Sequence, residues 1–308
     1  MEPLVIENYL KMKQSLKSSA SVNLALIASA LVSLAEPFAE IDERIVTIGG
    51  AATEIVFALG AGSSIVATDL SSIYPPQARE LPMVGYVRNI SPEGVLSMEP
   101  DLVIATGALG PPNAREMLER LDIDIMWLPN LNAPEELLSS IKMVSERIAR
   151  TEVAKTLIED VNHDLTQAAA NSNNWAVDAP TVLFLLEPPG KSTSGMGGGL
   201  NSKADTLITL AGGKNAATGF SGFKPVSAES LIAMNPDVIL VGQSDRHGGS
   251  PESIKAMIAI PALIEVSAIK EDAVYAVPLD DLAFGPRLGA VTLRWNSLLA
   301  NHAAPVRP

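Results

Sequence analysis

Short apolar runs alternate with amphipathic segments along the chain after Glu40. In the amphipathic segments, such as residues 51–62 and 91–100, the apolar residues recur at helical spacing. The apolar runs have the length of buried strands, and they read RIVTIGG (44–50), SIVATD (64–69), DLVIATG (101–107), IMWLP (125–129), TVLFLLE (181–187) and DVILVG (237–242). This alternation predicts the α/β class, with mostly parallel sheets covered by helices on both faces.

A different pattern fills the middle of the chain. Residues 133–171 contain no glycine and no proline after Pro134, and apolar side chains such as Leu138, Ile141 and Val144 recur close to the helical period. One helix of this length would span roughly 50 Å, which is more than a crossover between neighbouring strands needs. We therefore expect a single rigid helix over residues 133–171 that joins an N-terminal lobe (40–132) to a C-terminal lobe (172–308).

An internal repeat relates the two predicted lobes. SPEGVLSMEPDLVIATG (91–107) aligns without a gap with SAESLIAMNPDVILVGQ (227–243), and a serine, a glutamate, a proline and an aspartate coincide. Chance similarity of two helix–strand units is the alternative, but the shared polar positions argue against it. Two similar Rossmann-like lobes on one long helix predict a ligand cleft between them.

The N-terminal residues 1–39 are typical of a signal peptide. Basic MKQSLK (12–17) precedes an apolar run (22–35), and small residues follow near Ala39. The apolar run is too short for a comfortable transmembrane helix; a buried or anchoring first helix is the alternative. Residues before Met12 fit no part of such a signal, so Met12 is a candidate start of translation. We expect an exported, soluble protein.

The composition excludes several classes of function. The 308 residues carry a formal net charge of -13, which argues against nucleic acids and anionic membrane surfaces as partners. The chain has no cysteine, which excludes disulfides, thiolate catalysis and lipid attachment through an N-terminal cysteine. No Ser-His-Asp order with a nucleophile elbow is present, so no enzyme is predicted. GKST (190–193) is not a phosphate-binding loop, because Leu185 occupies the place of its first glycine.

Several of these segments together resemble one family. The order of RIVTIGG, LPMVGYVR and SPEGVLSMEPDLVIA is similar to the helical-backbone class of substrate-binding proteins for ABC importers, which carries iron-siderophores, cobalamin and haem. The likeness covers the chain from Arg44 to about Ala300. Three segments resemble the haem-binding branch of that class, namely LPMVGYVRNISPEG (81–94), GALGPPNA (107–114) and AGGKNAATGFSGFKPVSAESL (211–231).

The resemblance implies a haem transport protein for iron acquisition. Such a protein captures ferric haem in the cleft between its lobes in the periplasm and delivers it to an inner-membrane ABC permease dimer with its ATPase. Because the chain has no cysteine, we expect it to carry no lipid anchor. An outer-membrane haem receptor system would act upstream. The alternative is an iron-siderophore or cobalamin carrier of the same class, although the chain is only 4% aromatic and siderophore sites often use several aromatic residues.

The resemblance also implies that one glutamate on each lobe contacts the permease. The repeat assigns these positions to Glu93 and Glu229, which occupy equivalent places in the two aligned segments. The alternative is that both carboxylates only stabilise the start of a helix. The two interpretations are compatible.

The resemblance places the axial ligand of the haem iron on Tyr86, the tyrosine of a Val-Gly-Tyr motif. A tyrosine phenolate is a known protein ligand of ferric haem. In an extended segment Arg88 would lie on the same face as Tyr86, where it could offset the phenolate charge or bind a haem propionate. The alternative for Tyr86 is a loop tyrosine with a solvated hydroxyl group. Tyr74, which precedes two prolines, is the rival tyrosine near the mouth of the cleft.

The C-terminal lobe offers weaker candidates. Its segment EPPGKSTSGMGGG (187–199) contains no histidine, so Met196 is left to contact the iron or the porphyrin and Lys191 to pair with a propionate. In a later loop Arg246 could bind a propionate, and His247 is a further candidate ligand. The missing histidine favours five-coordinate ferric haem held by Tyr86 alone.

Overall fold

The computed structural model describes residues 42–107, 109–173, 175, 179–190, 193–244 and 248–303. The predicted signal peptide therefore lies outside the described residues, as do Lys191, Arg246 and His247. Within the described ranges, no helix is both long and apolar enough to cross a membrane.

The N-terminal lobe is built on a parallel sheet of four strands in the order β2-β1-β5-β6. Its elements are β1 (Ile45–Ile48), α1 (Gly50–Ala58), β2 (Ile65–Ala67), β3 (Gly85–Tyr86), β4 (Asn89–Ile90), α2 (Pro92–Leu96), β5 (Leu102–Thr106), α3 (Pro112–Glu119), β6 (Asp124–Leu128) and α4 (Pro134–Arg147). Strands β1 and β5 are buried along their whole length. Parallel strands covered on both faces form from continuous apolar runs, which is why the sequence pattern located them.

The C-terminal lobe contains a mixed sheet in the order β10-β8-β7-β11-β12, and β9 pairs with the start of β7. The chain reaches and builds it through α5 (Thr151–Ser172), β7 (Thr181–Glu187), β8 (Gly195–Gly198), α6 (Lys203–Leu210), β9 (Lys214–Asn215), β10 (Phe223–Val226), α7 (Ala228–Met234), β11 (Val238–Gln243), α8 (Pro251–Ile258), α9 (Ser267–Lys270), β12 (Val274–Pro278) and α10 (Leu288–Ala300). β7, β11 and β12 run parallel, whereas β8 and β10 are antiparallel to their neighbours. The predicted α/β class is confirmed.

The segment predicted as one long helix is two helices, α4 and α5, so the prediction of a single rod is wrong. Between them Ala149 adopts a left-handed conformation with φ of 54°. The Arg150 N–H donates to the Ser145 carbonyl at 2.7 Å and the Ile148 N–H to the Val144 carbonyl at 3.0 Å, which satisfies carbonyls at the end of α4.

The break allows the two helices to bury different faces. α4 contacts α1 and buries Leu137 and Ile141, whereas α5 packs along α10 and buries Val161. A left-handed alanine costs about 1–2 kcal/mol, and burying a single leucine or isoleucine side chain gains about 1.5–3 kcal/mol. The packing gain therefore outweighs the strain. The lobe boundaries at residues 132 and 172 remain predictions.

The internal repeat corresponds to two matching helix–strand units. Helices α2 and α7 each begin after a serine whose hydroxyl group accepts from a backbone N–H three residues later, Ser91 from Gly94 and Ser227 from Ser230. Each helix leads into an inner strand of its sheet, β5 or β11. The gap-free alignment of the sequence thus has a structural counterpart in each lobe.

Candidate ligand-binding site

A cavity of about 940 Å³ lies between the two lobes. Its lining includes residues that come shortly after the parallel strands: Gly49 after β1, Asp69 after β2, Asn130 after β6, Ser244 after β11 and Leu279 after β12. Ligands of open α/β sheets bind outside the carboxyl ends of the strands. The volume is typical of a small-molecule site, so the structure has the predicted cleft.

Four predicted ligand-binding residues line this cavity. Tyr74, Tyr86 and Arg88 approach from the N-terminal lobe, and Met196 approaches from the C-terminal lobe. Residues predicted from separate sequence segments are therefore brought to one cavity. Their roles toward a ligand remain predictions.

Tyr86 lies on a short antiparallel hairpin formed by β3 and β4. Tyr86 pairs with Asn89, and Gly85 pairs with Ile90. Gly85 has φ of 124°, and a Cβ atom there would lie 2.9 Å from the Asn89 carbonyl oxygen, so this position requires glycine. Tyr86 keeps 42% of its surface exposed at the cavity. Arg88 belongs to the turn of the hairpin, so the expectation of an extended segment with Arg88 on the face of Tyr86 is wrong.

The buried carboxylate of Asp69 holds the hairpin against the N-terminal sheet. Its Oδ2 accepts from the Val87 N–H at 3.0 Å and from the N–H and hydroxyl groups of Ser71 at 2.9 and 2.7 Å. Its Oδ1 accepts from the Gly49 N–H at 2.7 Å and from the Ser72 hydroxyl group at 2.8 Å. Val87 directly follows Tyr86, so Asp69 positions the tyrosine at the carboxyl ends of the strands.

A second loop supports the opposite side of the hairpin. The Gly110 N–H donates to the Val87 carbonyl at 2.8 Å, and the Gly110 carbonyl accepts from the Ile90 N–H at 3.1 Å. A Cβ atom on Gly110 would lie 2.8 Å from the Arg88 carbonyl oxygen. The sequence motif GALGPPNA (107–114) thus contributes a backbone support for the motif that contains Tyr86.

A charged network joins the two lobes beside the cavity. The Arg287 guanidinium donates to both oxygens of Glu54 at 3.0 and 2.8 Å and to Asp280 at 2.9 Å. It also stacks on the ring of Tyr74, with the guanidinium carbon 3.7 Å from the ring centroid. Glu54 and Tyr74 belong to the N-terminal lobe, whereas Asp280 and Arg287 belong to the C-terminal lobe. Arg287 therefore bridges the lobes.

Burial and charge act in opposite directions within this network. Desolvation raises the pKa of Glu54, and its hydrogen bonds and attraction to Arg287 oppose that rise. Desolvation alone would lower the pKa of Arg287, but the hydrogen bonds and negative charges of Glu54 and Asp280 raise it above its ordinary value. The bidentate geometry is the strongest form of such a pair.

The glycine-rich strand β8 packs into its own lobe. A Cβ atom on Gly197 would lie 2.6 Å from a methyl group of Val226, and one on Gly198 would lie 2.8 Å from the Cβ atom of Ala204. These glycines permit close packing inside the C-terminal lobe. The neighbouring Met196 lines the cavity, so it is the residue of this strand that is available to a ligand.

Five charged residues of the cavity were not predicted from the sequence: Glu54, Asp69, Arg79, Lys203 and Asp280. Asp69 had a signal, since it is an acid shortly after a buried strand at the cleft. The sequence also pointed to Glu54, because it is the single charged residue within helix α1. No sequence signal pointed to Lys203, because a lysine in the first turn of a helix normally lies on a solvated surface.

Comparison with known proteins identifies the family. The family described as "Periplasmic binding protein" matches residues 45–280. The periplasmic heme-binding protein RhuT from Roseiflexus sp. RS-1 is 30% identical, with a TM-score of 0.74 and coverage of 85% of this chain and 99% of that chain. A periplasmic heme-binding protein from Pseudomonas aeruginosa is 27% identical, with a TM-score of 0.76 and coverage of 86% and 95%.

A relative with another ligand is similarly close. The vitamin B12-binding protein of Vibrio cholerae serotype O1 is 29% identical over 255 residues, which cover 80% of this chain and 84% of the relative. The match over residues 45–280 and the shared architecture show that the chain belongs to the periplasmic binding protein family, whose members serve ABC importers as substrate-binding proteins and not as enzymes.

Proposed function

We propose that the protein captures ferric haem in the cavity between its lobes and delivers it to an ABC permease. The observation that carries this proposal is that Tyr86 lies on a hydrogen-bonded hairpin at the cavity with 42% of its surface exposed. Bound to ferric iron, its side-chain oxygen would serve as a phenolate ligand. Arg88, in the turn of the same hairpin, supplies a positive charge at the cavity for the phenolate or for a haem propionate. The likeness to solved heme-binding proteins supports the same assignment.

Cobalamin is the second candidate ligand, because a relative of comparable identity is named a vitamin B12-binding protein. The corrin ring carries mainly amide side chains, whereas haem carries two carboxylates. A cavity that combines a tyrosine with Arg79, Arg88 and Lys203 suits haem better. An iron-siderophore is the third candidate.

The test is to offer the purified mature protein haemin, a ferric siderophore and vitamin B12 in parallel. We expect uptake of one haem per protein, with a Soret band and the charge-transfer features of high-spin ferric haem bound by tyrosinate. Absorption spectroscopy after gel filtration measures this. Retention of vitamin B12 or the siderophore, with no bound haem, would assign the protein to the alternative ligand.

The proposed place of action is the periplasm, after export by the signal peptide and without a lipid anchor. There the protein would receive haem that an outer-membrane receptor system has imported. Its partner in delivery is the permease dimer, which the ATPase drives.

The two glutamates of the repeat are proposed as contacts to the permease. Glu93 and Glu229 are both exposed in the first turn of equivalent helices. Three residues after each glutamate the same helix exposes an apolar side chain, Leu96 with 49% and Ile232 with 43% of its surface accessible. Each lobe therefore presents an acidic and an apolar group in the same arrangement, as a two-fold symmetric partner requires.

Replacing both glutamates with alanine is expected to leave haem binding intact and to remove transfer to the permease reconstituted in vesicles. Glu252 offers a matched control: its own backbone N–H and the Ser250 hydroxyl group lower its pKa, just as the backbone N–H and Ser227 lower the pKa of Glu229. We expect Glu252→Ala to transfer haem normally. Normal transfer by Glu93→Ala/Glu229→Ala, or an equal loss in the control, would refute the assignment.

A further inference from the structure

Lys203 is a cation on the C-terminal wall of the cavity. It begins α6, directly after the capping residue Ser202, and it lines the cavity opposite the hairpin of the N-terminal lobe. Its Nζ atom donates to the Ala283 carbonyl at 3.1 Å and lies 5.4 Å from the centroid of the Phe284 ring. An ammonium group has three donors, and among the described residues only Ala283 receives a hydrogen bond from it.

The surroundings of Lys203 do not neutralise its charge. Desolvation is the main reason why the pKa of Lys203 falls to about 8; the attraction of Glu136 and Glu54 opposes this fall, and the smaller repulsion of Arg88 adds to it. Glu54 is itself bound to Arg287 across the cavity. No carboxylate among the described residues forms an ion pair with Lys203. A desolvated cation without an ion-pair partner, inside a cavity, is the pattern of a ligand-binding group.

The N-terminal lobe supplies a second cation to the same cavity. Arg88 acts on Lys203 electrostatically across the cleft, although one residue belongs to the β3–β4 turn and the other to α6. Two cations that repel each other in the free protein are both stabilised when an anion enters between the lobes. Such an arrangement favours a ligand that carries negative charge at its periphery.

We propose that Lys203 binds a carboxylate of the transported ligand and so selects for an acidic tetrapyrrole. This inference rests on the proposed function, and it goes beyond it by assigning a specificity residue on the wall opposite Tyr86. Tyr86 binds the metal of the ligand, whereas Lys203 binds a carboxylate at the edge of the ligand. Neutral ligands of similar shape gain nothing from Lys203 and leave its ammonium group buried beneath them without an ion-pair partner.

The alternative is a purely structural lysine that fastens α6 to Ala283 and Phe284. The two roles differ in one measurable respect. A structural lysine affects all ligands alike, because its loss disturbs the wall of the cavity. Loss of a carboxylate-binding lysine weakens the binding only of ligands whose carboxylate is free.

The test compares haemin with haemin dimethyl ester, in which both propionates are esterified and uncharged. For Lys203→Met, we expect haemin to bind roughly 10- to 100-fold more weakly than it binds to the wild type, as for loss of a charge-assisted hydrogen bond. The ester should bind to the variant at least as tightly as to the wild type, since it forms no ion pair with Lys203 and no longer buries an unpaired ammonium group. Titration followed at the Soret band gives both dissociation constants.

Lys214→Met serves as the control, because Lys214 is exposed on the same lobe and does not line the cavity. We expect it to bind both porphyrins as the wild type does. Unchanged haemin affinity in Lys203→Met, or an equal loss for haemin and its ester, overturns the role of Lys203 alone. Failure of the wild type to bind haemin overturns the proposed function, and the Lys203 assignment with it.

Discussion

Replacing Tyr86 with phenylalanine is expected to weaken ferric haem binding by at least about 100-fold. The substitution removes only the hydroxyl group and keeps the ring. The hairpin should stay in place, because the Asp69 and Gly110 contacts involve backbone atoms of Val87 and Ile90. Loss of an outer-shell contact to a metal ligand already costs 10- to 100-fold in affinity, and loss of the ligand itself costs more. Titration with haemin, followed by absorption and electron paramagnetic resonance, measures the effect.

A tyrosine outside the cavity provides the control for that variant. Tyr275 lies on β12 and exchanges a hydrogen bond with His302 at 2.7 Å. Tyr275→Phe should keep the haem affinity and the tyrosinate spectrum. If Tyr86→Phe retains both as well, Tyr86 is not the axial ligand, and Tyr74 becomes the tyrosine to test next.

The general architecture could be predicted because local patterns specify it. A strand such as β1 is an unbroken apolar run, since both of its faces are buried. The helix break at Ala149 could not be predicted in this way. Neither glycine nor proline marks it in the sequence, and it forms because α4 and α5 pack on different partners.

The site was accessible to sequence reasoning only in part. The motif around Tyr86 gave the residue, but not the geometry that holds it. That geometry depends on hydrogen bonds between distant segments, such as the one from Val87 to Asp69. The ion pair between Glu54 and Arg287 beside the cavity could not be predicted from a local sequence pattern, because the two residues are separated by 233 residues.

The second large effect is expected from Arg287→Met. This variant leaves Glu54, which is almost fully buried, without its cation. Removing one partner of a buried ion pair costs about 3–5 kcal/mol, because the remaining charge is left uncompensated. We therefore expect the free energy of unfolding in urea to fall by about that amount. The bridge between the lobes is lost at the same time, so the midpoint of thermal unfolding should fall as well.

Two further variants distinguish the effect of breaking the buried Glu54–Arg287 pair from the effect of losing any arginine charge. Arg147→Met breaks ion pairs with Glu43 and Asp124 that remain partly exposed to solvent, so it should cost about 1 kcal/mol or less. Glu54→Gln/Arg287→Met removes both charges and should recover much of the stability lost in Arg287→Met. A double variant as unstable as the sum of the single variants would show that the two side chains do not act as a pair.

The deficit of Arg287→Met should also depend on pH. Burial already raises the pKa of Glu54 above its ordinary value of 4.5 with Arg287 present. Without Arg287 that pKa rises further. At a pH between the raised pKa in the folded variant and the ordinary pKa of 4.5 in the unfolded chain, the native state binds a proton that the unfolded chain does not bind. The variant therefore gains stability as the pH falls toward 4.5, whereas Glu54→Gln/Arg287→Met lacks this contribution. Urea denaturation between neutral and mildly acidic pH measures both slopes. A deficit that stays constant over this range would mean that Glu54 is not left as an unpaired buried carboxylate.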